Sequence, residues 1–190
     1  MRKYTTEDLV SQKPNIDEFK SIIRNPLVFI LHNIRSLQNV GLFFRLADAL
    51  LVEKIYLTGY TGYPRLEDDD RSERIITHAE NEINKTAIKL VPYVPWERSE
   101  TIPELPGYQM IGVEQTDKSL DYSLPTTDYR FPLALIFGHE RTGVEEDILK
   151  KCDFVIHIPM LGMGNSHNVA MSGAIIANHI LQKVTPSGKL

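Results

Sequence analysis

Five polar side chains, Asn39, Arg45, Glu140, Ser166 and Asn168, lie in or just after three stretches that mix glycine, amides and single charges. The stretches are "HNIRSLQNVG" (32–41), "GHERTG" (138–143) and "PMLGMGNSHN" (159–168). A carboxylate among amides and a hydroxyl suits the orientation of a polar ligand, and a lone arginine suits an anion such as a phosphate. Arg45 interrupts the apolar run "LFFRLADAL", where an unpaired buried charge is costly, so it needs an acid or a ligand anion. Four of the five also have a plainer reading. Arg45 can pair with Asp48 at i+3, Glu140 can cap a helix beginning near Thr142, and Ser166 or Asn168 can cap the last helix.

Other chemistries fit the same loops poorly. "GMGNSHN" holds Gly162 and Gly164 without the third glycine of a dinucleotide fingerprint, and no acid follows Asp153 to meet a ribose. "GHERTG" lacks the Lys-Ser/Thr pair of a phosphate loop. His32, His139, His157 and His167 lie in or beside these loops, yet none shows paired ligand spacing, so no metal is expected. His157, inside an apolar strand, reads as a core histidine. Cys152 falls at a helix end, where the carbonyl dipole disfavours a thiolate nucleophile.

The elements that must position these residues follow from hydrophobic periodicity. Strands are expected at 27–31, 54–58, 108–114, 132–137 and 154–158, with "KLVPYV" (89–94) as a short strand or edge segment. Helices are expected from Ser36 through Leu51, within Thr77 to Ile88, over "GVEEDILKKC" (143–152) and from about Asn168 to Lys183. The acids and lysines at the two ends of "GVEEDILKKC" match a helix dipole. This alternation predicts an α/β fold with a mostly parallel sheet flanked by helices. In such a sheet ligands bind outside the carboxyl ends of the strands, so the three loops converge on one edge. The stretch 158–181 contains no Asp, Glu, Lys or Arg, and its helix carries small residues at Ala170, Ser172, Gly173, Ala174 and Ala177. A helix apolar all round is a buried one, which predicts a subunit interface in a twofold homodimer; the alternative is cover by the chain's own loops.

A length of 190 residues with 42% apolar and 24% charged residues suits one globular domain. Residues 1–24 read as a partly helical N-terminal extension and 25–190 as the domain proper. No secretory signal or membrane span is expected, and a single cysteine fits the cytoplasm. The net charge of −4 argues against bulk nucleic-acid affinity but leaves room for a local basic patch. The acidic run Glu67 to Asp70 reads as a solvated surface.

The segments "LHNIRSLQNVGLFFRLADALLVEKIYLTG", "LALIFGHERTGVEEDIL" and "IPMLGMGNSHNVAMSGAI" resemble, in order and spacing, the three motifs of the SpoU/TrmH branch of the SPOUT RNA methyltransferases, over residues 25 to 183. The resemblance implies methyl transfer from S-adenosyl-L-methionine to a ribose 2′-hydroxyl of RNA, a deep C-terminal trefoil knot and an obligate homodimer. It implies Asn39, Arg45, Glu140, Ser166 and Asn168 as catalytic residues. Val113, Gly138, Ile158, Met160, Ser166 and His167 are implied around the cofactor. His167 stands where the family usually has leucine, and Ala170 where it often has serine. By analogy with other short members, tRNA is the expected substrate ahead of rRNA. Arg2, Lys3, Lys20, Arg24, Arg35, Arg71 and Arg74 are candidates for a basic strip. Two rivals stay open: a non-catalytic RNA-binding protein on the knotted scaffold, and a methyltransferase for a small metabolite.

Overall fold

In the computed structural model, which describes residues 1–184 apart from the side chain of Lys20, seven strands form one fully parallel sheet. They are β1 (Asn25–His32), β2 (Val52–Thr58), β3 (Trp96–Ser99), β4 (Gln109–Val113), β5 (Leu120–Asp121), β6 (Leu133–Phe137) and β7 (Phe154–His157). Their spatial order is β3-β2-β1-β6-β4-β7-β5. The expected α/β class with a parallel sheet is what the chain forms. Alternation along β1 feeds two cores: Leu27, Phe29 and Leu31 enter one, Val28 and Ile30 the other. A parallel sheet covered on both faces explains why its strands read as continuous apolar runs.

The helices are α1 (Thr6–Ser11), α2 (Ile16–Ser21), α3 (Leu37–Ala49), α4 (Glu73–Ala87), α5 (Glu146–Leu149) and α6 (Val169–Val184). Capping boxes at Thr5/Asp8 and Asn15/Glu18 start α1 and α2. Ser36 caps α3 by accepting from the Asn39 N–H. Helices α3 and α6 cross closely at Gly173, where a Cβ would lie 2.6 Å from the Phe43 ring. Phe43 in turn meets Phe29 and Phe137 at centroid distances of 5.7 and 4.8 Å, so α3, β1 and β6 share one aromatic contact below the sheet edge.

Several expectations need correcting. "KLVPYV" is not a strand. Ile88 and Lys89 end α4 with positive φ, Val91–Tyr93 form a 3-10 turn, and pairing begins only at Trp96, after Pro95. Helix α4 starts at Glu73 rather than Thr77. Helix α5 stops at Leu149, so the lysines lie beyond it, and Lys150 pairs back to Asp147 and Glu146. Asp69 is no solvated acid: its side chain is 3% exposed and bound to Arg71 at 2.6 Å. Helix α6 buries Ala170, Gly173, Ile176, Ala177, Ile180 and Leu181 against its own chain while Met171 and Ile175 stay exposed. Burial all round is therefore not met within the single chain.

One feature of the path matters for the site. Strand β7 lies between β4 and β5, so residues 114–119, which join those two strands, cross the end of β7. They touch the loop leaving β7, where Gln115 Nε2 donates to the Asn165 carbonyl at 2.8 Å. Among the described residues no helix is long and apolar enough to cross a membrane.

Candidate active site

The loops after β4, β6 and β7 enclose a cleft of about 530 Å³ at the carboxyl edge of the sheet. That size falls among small-ligand sites. Glu140, Ser166 and Asn168 line it, as do Val113, Gly138, Ile158 and His167. Asn39 stands one bond behind this lining. Arg45 and Met160 are not part of it.

Glu140 organises the site. Its carboxylate accepts from the main-chain N–H groups of Ser36 (2.9 Å) and Arg35 (3.0 Å) and from Asn39 Nδ2 (2.8 Å). It therefore faces the start of α3, where the helix dipole favours an anion, and does not cap the helix that follows it. Burial alone pushes the Glu140 pKa up, but the donors at Ser36, Arg35 and Asn39 together hold it below the ordinary value. Asn39, 7% exposed, has its other side-chain atom occupied too, since Oδ1 accepts from Asn168 Nδ2 at 3.0 Å. Asn168 Oδ1 accepts from the N–H groups of Ala170 (3.0 Å) and Met171 (3.2 Å). Asn168 is thus both the cap of α6 and a member of the cluster, so its plain and functional readings hold together. The network also fixes the amide of Asn39, because only Nδ2 can face the carboxylate.

The placement of Arg45 follows from helix geometry. Six residues beyond Asn39, it projects about 120° away around α3. It is exposed, and its side chain has neither the expected pair with Asp48 nor any other hydrogen-bond or ion-pair partner among the described residues. Met160 points along its own loop, with Cε 3.5 Å from the Cβ position of Gly164. Ser166 is exposed at the mouth of the cleft.

Sequence reasoning missed the opposite wall. Glu114 lines the cleft and accepts from Gln115 N–H (2.8 Å) and Val144 N–H (2.9 Å). Its Oε2 occupies the space of a Cβ at Gly143, whose φ of 70° independently favours glycine. The signal was available: Glu114 closes the expected strand 108–114, so the sheet-edge rule covers it as well. His157 is no core histidine. It faces the cleft and shares a 2.9 Å hydrogen bond with Ser119 Oγ. Burial pushes the Cys152 thiol up to about 11, which leaves it unsuited to nucleophilic work.

Three of the seven candidates for the basic strip are committed elsewhere. Arg2 pairs with Asp8, Arg24 donates to the Val52 and Tyr93 carbonyls, and Arg71 is held by Asp69 and stacked 3.6 Å over Tyr63. The Lys20 side chain lies outside the described residues. Arg35 and Arg74 are exposed.

The SpoU rRNA Methylase family matches residues 26–178 of the chain. A protein named "Putative TrmH family tRNA/rRNA methyltransferase" from Staphylococcus haemolyticus is 30% identical over 159 residues, 82% of this chain and 58% of that protein. The chain therefore spans under two thirds of the length of such curated relatives. The AdoMet-bound rRNA methyltransferase of Sinorhizobium meliloti aligns with a TM-score of 0.65 at 21% identity, over 88% of this chain and 61% of that one. A structure described by its 2-OH methylation of C/U34 on tRNA aligns with a TM-score of 0.67 at 19% identity, over 92% of this chain and 100% of the other. Those two likenesses speak for the fold. The family match runs unbroken from β1 into α6 and takes in all three stretches that build the cleft, and on that ground the chain belongs to the SpoU rRNA methylase family.

Proposed function

We propose that the protein transfers the methyl group of S-adenosylmethionine to a ribose 2′-hydroxyl of RNA, acting as a cytoplasmic homodimer. The observation that carries this reading is the Glu140–Asn39–Asn168 hydrogen-bond chain. It ties the loop after β6, the start of α3 and the start of α6 into one stiff rim beside the cleft. Positioning is what an in-line displacement asks of a protein.

The residues present suit the cofactor. Glu114 and Glu140 put two carboxylates beside the cleft, which suits a cation, while Val113, Ile158 and Val169 offer apolar surface to a ring. When bound, S-adenosylmethionine supplies a methyl group on a positively charged sulfur. In this reading the main chain at Gly138 and Ile158, with Val113, Ser166 and His167, holds the cofactor, and Met160 acts only by shaping the loop. Glu140, Asn39 and Asn168 orient the ribose rim. Arg45 clamps the phosphate next to the reacting ribose and polarises the hydroxyl. Its guanidinium serves as an electrostatic clamp, with that phosphate or a water receiving the proton.

The homodimer reading draws on exposed apolar side chains. Leu42 and Arg45 on α3 lie next to each other on a helix that packs against α6, where Met171 and Ile175 are exposed, and Leu161 and Met163 project from the loop before α6. A second copy covering these side chains would also give Arg45 a wall to face. The crossing of residues 114–119 over the end of β7 supports the knotted path that the family resemblance implies. We take tRNA ahead of rRNA as the substrate class, in line with the aligned structure whose description names methylation of C/U34 on tRNA.

Calorimetric titration with S-adenosylmethionine should show one site per chain. Labelled cofactor incubated with total tRNA and with rRNA should yield label in alkali-resistant dinucleotides from the tRNA pool. Binding without transfer to either pool would return the protein to the non-catalytic reading, and no binding would remove the cofactor.

A further inference from the structure

Outside the cleft, on the part of the same sheet edge formed by β2, β1 and β6, Tyr60 leaves 62% of its surface exposed. Its loop is nonetheless stiff. The Tyr60 N–H donates to Asn33 Oδ1 (3.0 Å), and Asn33 Nδ2 donates to Glu145 Oε1 (2.7 Å). The next residue, Thr61, donates to the Leu31 carbonyl (2.8 Å) and accepts from the Ile34 N–H (2.9 Å). A tyrosine held outward on a rigid support loses little freedom when something stacks on it.

The ring of His139 meets Tyr60 edge-on, with centroids 6.2 Å apart and planes at 71°. His139 also lines the cleft, so the pair links the cleft mouth to the outer surface. Its Nδ1 accepts from the N–H groups of Arg141 (3.0 Å) and Thr142 (3.2 Å), which leaves the ring proton on Nε2. Arg35 and Arg141 flank Glu140 in space and in sequence respectively. Both are exposed, and among the described residues neither guanidinium has a hydrogen-bond or ion-pair partner; only their main-chain N–H groups are engaged. An exposed aromatic face with unpaired cations around it is the composition of a platform for unpaired bases and their phosphates.

We infer that Tyr60 and His139, with Arg35 and Arg141, form a stacking site for an unpaired base of the substrate RNA, beside the nucleotide whose ribose enters the cleft. The inference rests on the RNA-methylating reading above. It assigns Tyr60 to substrate recognition and leaves cofactor binding to the cleft.

The test uses the full chain, a single-stranded RNA oligonucleotide carrying 2-aminopurine, and an unmodified tRNA transcript. Binding is read by anisotropy, and stacking by quenching of the 2-aminopurine. Tyr60→Ala should weaken RNA binding roughly 5- to 150-fold and abolish the quench, while Tyr60→Phe and Tyr60→Trp retain both. S-adenosylmethionine affinity should be unchanged in all three, which also reports intact folding. Arg141→Gln should lower the slope of log affinity against log salt by about 0.7 to 0.9. Wild-type RNA binding with an unaffected Tyr60→Ala overturns the platform and leaves the methylation reading standing. A wild type that binds neither RNA overturns the substrate reading, and the platform with it.

Discussion

Asn39 and Arg45 sit six residues apart on one helix and live in opposite conditions. Asn39 is buried, with both side-chain atoms bonded within the chain, while Arg45 is exposed with no partner among the described residues. The difference separates two ways of building a site. One group is positioned by the fold itself, so disturbing it disturbs the fold. The other costs the fold nothing, and in the proposed reading it acts only when an outside body arrives.

That contrast sets the largest expected effect. Arg45→Ala should reduce RNA methylation about 100- to 1000-fold, the loss typical of removing one charge-stabilising donor. Its melting temperature and S-adenosylmethionine affinity should match wild type. Loss of cofactor binding in that variant would instead mark Arg45 as structural and dissolve the comparison. Asn39→Ala should behave the other way. By orphaning groups on Glu140 and Asn168 it should lower unfolding free energy by about 1 to 3 kcal/mol, measured in urea, with activity falling in step. An unchanged urea midpoint would show that the hydrogen-bond chain contributes nothing to the fold.

A third substitution asks whether the outside body includes a second copy. Ile175→Asp should convert the proposed homodimer to monomers in light scattering while the unfolding free energy of the monomer, measured in urea, changes by no more than about 0.5 kcal/mol, as for an exposed site. A variant that remains dimeric would move the interface off α6. The smallest effect concerns pH. Because the folded pKa of Glu140 lies below its unfolded value, its contribution to stability is complete above the ordinary carboxylate range and fades as pH falls through the folded value. Wild type should therefore lose stability relative to Glu140→Gln between neutral pH and the acid range. Parallel curves for the two proteins would show that the carboxylate gains nothing from its donors.

Much of this layout is readable from sequence, for reasons tied to particular elements. Strands β1 and β6 are buried on both faces and print as unbroken apolar runs, and β4 and β7, buried in part, still print as mostly apolar ones. Three of the loops at their ends could then be assigned to one edge before any coordinate was known. Strand β5, with only Leu120 and Asp121, is too short to carry a period, and β3 is screened by Pro92 and Pro95. The polar residues failed differently. The family resemblance grouped Arg45 with Asn39, although a separation of six residues on a helix already parts them by about 120°. Asp69 looked like one acid in a run because nothing in the sequence announces that Arg71 folds back on it beneath Tyr63.

The double duty of Asn168 has a mechanical consequence. The oxygen of one amide holds the first turn of α6 while its nitrogen grips Asn39. Fraying of that helix end and loosening of the cleft's rim are then a single event. Deuterium uptake at the Ala170 and Met171 amides becomes a clock for how often the rim opens, and any ligand that tightens the rim should slow it.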